Sequence, residues 1–195
     1  MSATHDNFSN FIRQVISVPN DVIHSIVGSF EEITIPRYGF FLKAGTYANQ
    51  YLYLDKGFIR AYSHNQEGDE VTTAFYSGPS MVFEVYSFFN RQVSQENIQS
   101  LTECEGLVLT YDQLNHLFHT LPAFRDLGRA ILVRGFSQLK QRMLSQITET
   151  AEERYNRLLK SNPEVFLHAP LKDIASYLGI TDSSLSRIRR HFGQK

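Results

Sequence analysis

The chain has 195 residues, 42% of them hydrophobic and 20% charged, enough apolar material for one large core or two modest ones. Nineteen basic against 20 acidic residues leave a net charge of −1, which excludes a protein coated with nucleic acid along its length, so any basic surface must be local. One cysteine, Cys104, excludes a disulfide framework or a multi-cysteine metal site within one chain and fits a reducing cytoplasm. The start of the chain, MSATHDNFSNFIRQVISV, lacks a signal-peptide layout, and no apolar run reaches the roughly 18 residues of a membrane span, so neither secretion nor membrane insertion is expected.

From Asn7 to Ile16 the spacing of Phe8, Phe11, Ile12 and Val15 predicts a helix, and NDVIHSIVGSF predicts a second one stopped at Gly28. Between Glu31 and Tyr111 the texture changes. EEITIP, GFFLKAGTY, QYLYLDKGFIRAYS, DEVTTAFYS and EGLVLTY are short, rich in β-branched and aromatic residues, and separated by Gly, Asn, Asp or Pro. Strands this brief and evenly spaced predict a sandwich or barrel, with NQEGDE as a hairpin tip. Its phenylalanines, among them Phe40, Phe41, Phe75, Phe83, Phe88 and Phe89, read best as core, with some able to line an apolar pocket.

After Tyr111 the period becomes helical. DQLNHLFHTL is a short helix ended by Pro122, and a longer pattern runs on through Ile147. On that longer helix Leu132, Phe136, Leu139 and Met143 follow at steps of four, three and four, an apolar seam that one helix cannot bury alone. It either packs on the chain's own β-region or pairs with a second copy. Thr150 and Glu153 form a capping-box signature, so a new helix starts there and a domain boundary is expected near Thr148.

The stretch LKDIASYLGITDSSLSRIRR, from Leu171 to Arg190, carries the chemistry. Ile174, Ala175 and Leu178 make the inner face of one helix, Gly179 permits a sharp turn, and Leu185 and Ile188 face inward from a second helix that Thr181 can N-cap. Two helices joined by a glycine turn, with a small residue where they touch, define a helix-turn-helix. The outer face of the second helix presents Asp182, Ser183, Ser186, Arg187 and Arg190. From Leu171 onward five Lys and Arg oppose two Asp, so the basic surface the composition demands is concentrated here. Arginine can hold guanine bidentately in the major groove, and hydroxyls reach base edges or phosphates, so the motif in this context points to DNA rather than to a solvated helix end.

With these residues in view the sequence resembles the cyclic-AMP receptor protein and fumarate–nitrate regulator (CRP/FNR) superfamily of bacterial transcription factors. LKAGTYANQYLYLDKGFIRAYSHNQEGDEVTTAFYSGPSMVFEV resembles its β-roll, with glycine turns at Gly45, Gly57, Gly68 and Gly78, and the helix after Pro122 resembles its dimerisation helix. The resemblance implies an α+β chain: a jelly-roll, cyclic-nucleotide-binding-like domain over residues 1–121 with flanking helices, a dimerisation helix over 122–147 and a helix-turn-helix domain over 148–195. It implies a cytoplasmic homodimer, not an enzyme, on a palindromic double-stranded DNA operator with recognition helices roughly 34 Å apart, and admits RNA polymerase as a further partner. By position Asp182, Ser183 and Arg187 fall where the family contacts bases, and Thr181 and Ser184 where it contacts phosphates.

Two departures matter. Glu84 matches the family's ribose-binding glutamate, but the arginine that holds the cyclic phosphate, followed by serine or threonine, is replaced by Ser94 and Gln95, with Glu96 next. A buried phosphate without a guanidinium is unfavourable, and a carboxylate beside it worsens this. Phe83 replaces a small glycine, and Leu139 and Lys140 stand where polar residues read the adenine. Arg91 could restore the phosphate's counter-charge only by a shift in register. The nucleotide site is therefore expected to be degenerate, the effector is unassigned, and no cofactor is expected. Because the sequence ends at Lys195, the β-hairpin wing that usually follows the reader is also expected to be missing. The competing reading is a small-ligand module whose tail contacts a protein partner.

Other chemistry is weaker. His116 and His119 lie three apart on a helix without a third ligand nearby, and nothing recommends His24 or His64 for haem. No His-x-His cluster supports a cupin-type enzyme. Cys104, flanked by Glu103 and Glu105, reads as an inert thiol.

Overall fold

The computed structural model describes residues 2–192, with only the backbone of Phe192. The expected lack of a wing, and the basic Lys195, lie outside the described residues. Two helices open the chain, α1 (Ala3–Val15) and α2 (Asn20–Val27), the second stopped at Gly28 as its sequence predicts; the first begins four residues before the expected start. Phe8 and Ile12 of α1 and Ile23 and Ile26 of α2 are fully buried, which is the periodic face the sequence displays.

Eight strands follow: β1 (Glu31–Ile35), β2 (Phe40–Leu42), β3 (Gln50–Lys56), β4 (Phe58–His64), β5 (Glu70–Ser77), β6 (Ser80–Val82), β7 (Asn97–Ser100) and β8 (Cys104–Thr110). They form two antiparallel four-stranded sheets, ordered β1-β8-β3-β6 and β2-β7-β4-β5. The inner faces close over a core that includes Leu52, Leu54, Ile59, Ala61, Val82, Ile98 and Leu107. NQEGDE forms the β4–β5 tip, where Asn65 Oδ1 accepts from the Glu67 and Asp69 amides. A short helix, α3 (Val85–Asn90), fills the connection from β6 to β7. The phenylalanines divide between core and other surfaces, with Phe40 and Phe41 lining a cleft. Phe88 is fully buried, but Phe40 and Phe89 are 40% and 36% exposed, and Phe75 packs on a different core.

The helical half begins with α4 (Tyr111–Thr120), capped by Thr110 and Gln113, and α5 (Pro122–Thr148), which starts with proline at its first turn. Glu149 is extended, and Thr150 and Glu153 form the expected capping box at the start of α6 (Ala151–Ser161). A single turn, α7 (Val165–His168), leads to α8 (Leu171–Leu178) and α9 (Asp182–Phe192). Gly179, at φ +68°, closes α8 in the left-handed conformation that non-glycine residues resist, and the Ile180 amide returns to the Ala175 carbonyl.

The terminal helices do not close a core by themselves. Tyr155, Leu158, Val165, Ile174, Leu178, Leu185 and Ile188 cluster with Phe58 and Leu101 of the β-region, and Phe75 packs at the edge. Strand β4 is therefore buried on both faces: Ile59 and Ala61 point into the roll, Phe58 and Arg60 toward the terminal helices. Arg60 is 4% exposed in its side chain. Its Nη1 lies 2.6 Å from Glu70 Oε2, its Nη2 lies 3.2 Å from Oδ1 of the equally buried Asp173 on α8, and its Nε donates to Thr72 Oγ1 at 3.0 Å. The contact with Asp173 is an ion pair whose angles fall short of a hydrogen bond, leaving Nη2 with Coulombic compensation alone.

Burial raises the Asp173 carboxyl above its usual range, and Arg60 is the largest influence acting the other way. Removing the guanidinium leaves the buried Asp173 carboxylate without a cation, with the partly exposed Glu70 carboxylate nearby. Arg60→Met should lower stability by about 3–5 kcal/mol in urea unfolding at pH 7. A carboxyl whose folded-state pKa is raised holds its proton more readily in the folded than in the unfolded protein, so the loss should shrink as the pH falls toward 4. A pH-independent loss, or none, would remove the ion pair from the account.

Candidate nucleic-acid interface and the sensor-domain site

Helix α9 owes its orientation to two inward residues, Leu185 and Ile188, 0% and 6% exposed, which pack against Ile174 and Leu178 of α8. Asp182, Ser183, Ser186, Arg187 and Arg190 consequently all stand exposed on the outer side, and Arg189 is exposed too. Thr181 Oγ1 accepts from the Ser184 amide at 3.3 Å and lies 3.0 Å from the Ser183 and Ser184 hydroxyls, so the start of the helix is ringed by hydroxyl groups. None of the ion pairs among the described residues engages Arg187, Arg189 or Arg190. Three guanidiniums on one exposed helix, with hydroxyls at its N-terminal end, can neutralise phosphates and offer donors to base edges. A groove of about 630 Å³ runs beside this helix to the start of α6, lined by Thr150, Glu152, Ser184, Arg187 and Arg190 among others.

The four seam residues of α5 are exposed although apolar: Leu132 39%, Phe136 71%, Leu139 62% and Met143 47%. Val133, Leu144 and Ile147 extend the apolar surface. The chain's own β-region does not cover it. At its C-terminal end α5 meets the rest of the chain through the buried Ser145, through Gln146, whose Nε2 donates to the Tyr177 carbonyl, and above all through Arg142, whose guanidinium donates to the carbonyls of Thr72, Thr73 and Tyr177 and stacks on the Tyr177 ring at 4.1 Å.

In the β-region, Glu84 stands directly before α3. Its carboxylate accepts from the Tyr86 amide at 2.9 Å and the Ser87 amide at 2.6 Å, so it occupies the helix N–H groups that an anionic ligand would otherwise use. Arg91 caps the other end of α3 in a left-handed conformation. Its guanidinium donates to the Ala48 carbonyl and to Asn49 Oδ1 and stacks on Tyr111 at 4.1 Å. Glu84 and Arg91 are thus both engaged within the chain, at opposite ends of one short helix. Ser94 is buried, its hydroxyl turned back onto the Glu96 backbone, while Gln95 is exposed. Glu96 is half-buried; desolvation raises its pKa first, and the Glu84 carboxylate adds to the effect. Phe83 packs against Tyr51 with ring centroids 4.5 Å apart and planes tilted by 38°, and the Tyr76 hydroxyl is pushed up to about 12 by burial and the nearby Glu96 and Glu84. The cleft on the Glu84 side measures about 310 Å³, is walled by Phe40, Phe41 and Tyr47 among others, and includes none of Arg91, Ser94, Gln95 and Glu96.

No group of three or more metal-ligating side chains occurs among the described residues, and His119 Nδ1 bonds the Asn115 carbonyl oxygen. The Cys104 thiol is raised as expected, but burial rather than the flanking acids is the main cause. Sequence reasoning missed Arg60, Arg142 and Asp173. Arginine in the middle of an apolar strand, FIRAY, was the available signal for the first.

No match was found among curated protein sequences. Residues 34–120 match the cyclic nucleotide-binding domain family. Among solved structures the chain is similar to the c-di-GMP-responsive global regulator CLP of Xanthomonas campestris, at 17% identity and a TM-score of 0.70 over 90% of this chain and 92% of that one. It is similar to FixK2 of Bradyrhizobium japonicum, at 17% identity and a TM-score of 0.71 over 85% of each chain. A regulator of the CRP/FNR family from Eubacterium rectale gives 14% identity and a TM-score of 0.68, over 90% of this chain and 84% of that one. Residues 34–120 are thus similar to the cyclic nucleotide-binding domain family, and the chain as a whole has the fold seen in the CRP/FNR transcription regulators.

Proposed function

We propose that the protein is a homodimeric, sequence-specific DNA-binding transcription regulator that works without a cyclic nucleotide. One observation carries this reading: a helix-turn-helix whose second helix presents Arg187, Arg189 and Arg190, none in an ion pair among the described residues, beside the exposed Thr181, Asp182, Ser183 and Ser186. Charges left unpaired on an otherwise neutral chain suit a polyanion. Arg187 is the guanine reader; Thr181 and Ser184 meet phosphates at the helix start; Asp182 accepts from a cytosine or adenine amino group. Two copies meet along Leu132, Phe136, Leu139 and Met143, and their recognition helices enter successive major grooves of a palindromic operator. The overall likeness to regulators such as CLP and FixK2 supports the same assignment.

A cyclic nucleotide would need a counter-charge for its phosphate. Glu84 already occupies the α3 amides, Arg91 is held by Ala48 and Asn49, and Glu96 adds a carboxylate. The β-region then acts as a scaffold for the dimer helix and the reader.

Three outcomes follow. Arg187→Ala should weaken specific DNA binding by about 1–3 kcal/mol, with the loss confined to one base position in a competition assay; equal weakening on every sequence would reject base reading. Leu139→Lys should convert dimers to monomers in sedimentation equilibrium, and an unchanged dimer would reject the seam. Calorimetric titration with cyclic AMP or cyclic GMP should give no binding heat; micromolar binding would overturn the account of Glu84 and Glu96.

A further inference from the structure

We infer that Arg60, a residue of the β-roll, is a positioning residue for the recognition helix: through Asp173 it fixes the angle at which α9 is presented, and so the half-site spacing the dimer accepts. The inference rests on the DNA-binding reading above.

Four observations carry it. First, the covalent link between α5 and the reader is slight. One extended residue, Glu149, separates α5 from the α6 cap, so the orientation of the helices α6 to α9 must come largely from what they dock against. Second, they dock on β5, the edge strand of its sheet, along α8. An edge strand offers unpaired backbone groups, and here they are taken by the reader and the dimer helix. Ser176 Oγ accepts from the Thr72 amide at 2.9 Å. The register slips between Ala61–Ala74 and Tyr62–Thr72, which leaves Thr73 as the unpaired extra residue, and its carbonyl accepts from Arg142.

Third, among the described residues the only ion pair between the β-roll and the reader is Arg60 with Asp173, both nearly fully buried. The apolar part of the interface, Phe58 and Phe75 against Tyr177 and Ile174, resists separation but tolerates sliding, because dispersion is not directional. A buried charge pair does not tolerate sliding: a displacement that separates Asp173 from Arg60 leaves a dry carboxylate without a cation. Fourth, α8 and α9 share Ile174, Leu178, Leu185 and Ile188, so what fixes α8 fixes α9.

The test uses the full chain and two variants, Asp173→Asn, which keeps the shape and removes the charge, and Arg60→Lys, which keeps a cation. Spin labels placed at Gln66→Cys on the β4–β5 tip and Lys160→Cys on α6, in dimers diluted with excess unlabelled chain so that each holds one labelled protomer, report the angle without DNA. A series of duplexes with two half-sites at varied separation, and one with a single half-site, reports what the angle does. Wild type should give one narrow distance and a preference for one separation. Asp173→Asn should broaden the distance distribution and lower the preference about tenfold, with single half-site affinity unchanged. Arg60→Lys should keep the narrow distance at least in part. A narrow distribution with unchanged spacing preference in Asp173→Asn overturns the inference, as does equal loss on single and double half-sites. Wild-type protein that binds no duplex overturns the DNA-binding reading instead, and the spin-label distances then still decide whether Arg60 holds the reader.

Discussion

The structure depends on the outer face of one small sheet. A strand with polar and apolar alternation ordinarily shows one face to water, yet Phe58 and Arg60 on β4 face the terminal helices and are buried. Phe58 supplies a wall that the reader's core lacks: the three helices α6, α8 and α9 are short, and their inward residues need a partner surface to exclude water. Arg60 makes that contact specific. Its guanidinium is enclosed by Glu70, Thr72, Asp173 and the Tyr62 ring, so it joins a hairpin of the β-roll to the first helix of the helix-turn-helix. Arg142 adds a third element, tying the end of α5 to β5 and α8.

This arrangement gives the β-roll work that needs no ligand. In a liganded sensor, a bound molecule must interact differently with two states of the protein to shift between them. On the proposed reading, the groups at the positions that would recognise a cyclic nucleotide are turned to internal use. Glu84 caps the helix it precedes, Arg91 braces the β2–β3 connection and the Tyr111 ring, and Phe83 and Tyr76 place aromatic bulk near the two acids. Each is a favourable intrachain interaction that a nucleotide would have to displace, with no arginine to offset a phosphate in the Ser94–Glu96 segment. The β-roll is in any case the surface on which the terminal helices pack.

Local chemistry was legible in the sequence because its causes are local. Thr150 with Glu153, Gly28, Gly179 and the NQEGDE tip announce their caps and turns through the residues that make them. The inward and outward faces of α9 follow from 3.6-residue periodicity, and the apolar seam on α5 from its heptad spacing, although the spacing left open whether the β-region covers that seam. The contacts between distant segments were not legible. Nothing in FIRAY or LKDIASYL indicates that Arg60 and Asp173, more than a hundred positions apart, meet in the same dry interface. Each looks alone like a solvated charge, and only the docking of α8 on β5 pairs them. The exposure of Phe40 and Phe89 was hidden for the same reason, since an aromatic residue in a strand does not announce whether a second layer covers it.

The central claim is a DNA reader held by a β-roll that does not wait for a cyclic nucleotide. It is tested most directly by selecting binding sites from random duplex DNA with the full-length protein, at one fixed salt concentration, in parallel with and without cyclic AMP. The account predicts a palindromic motif enriched equally in both arms, with half-sites one helical turn apart. Enrichment confined to the arm with cyclic AMP would contradict it, because Glu84 and Glu96 would then have to accommodate the phosphate they are argued to exclude.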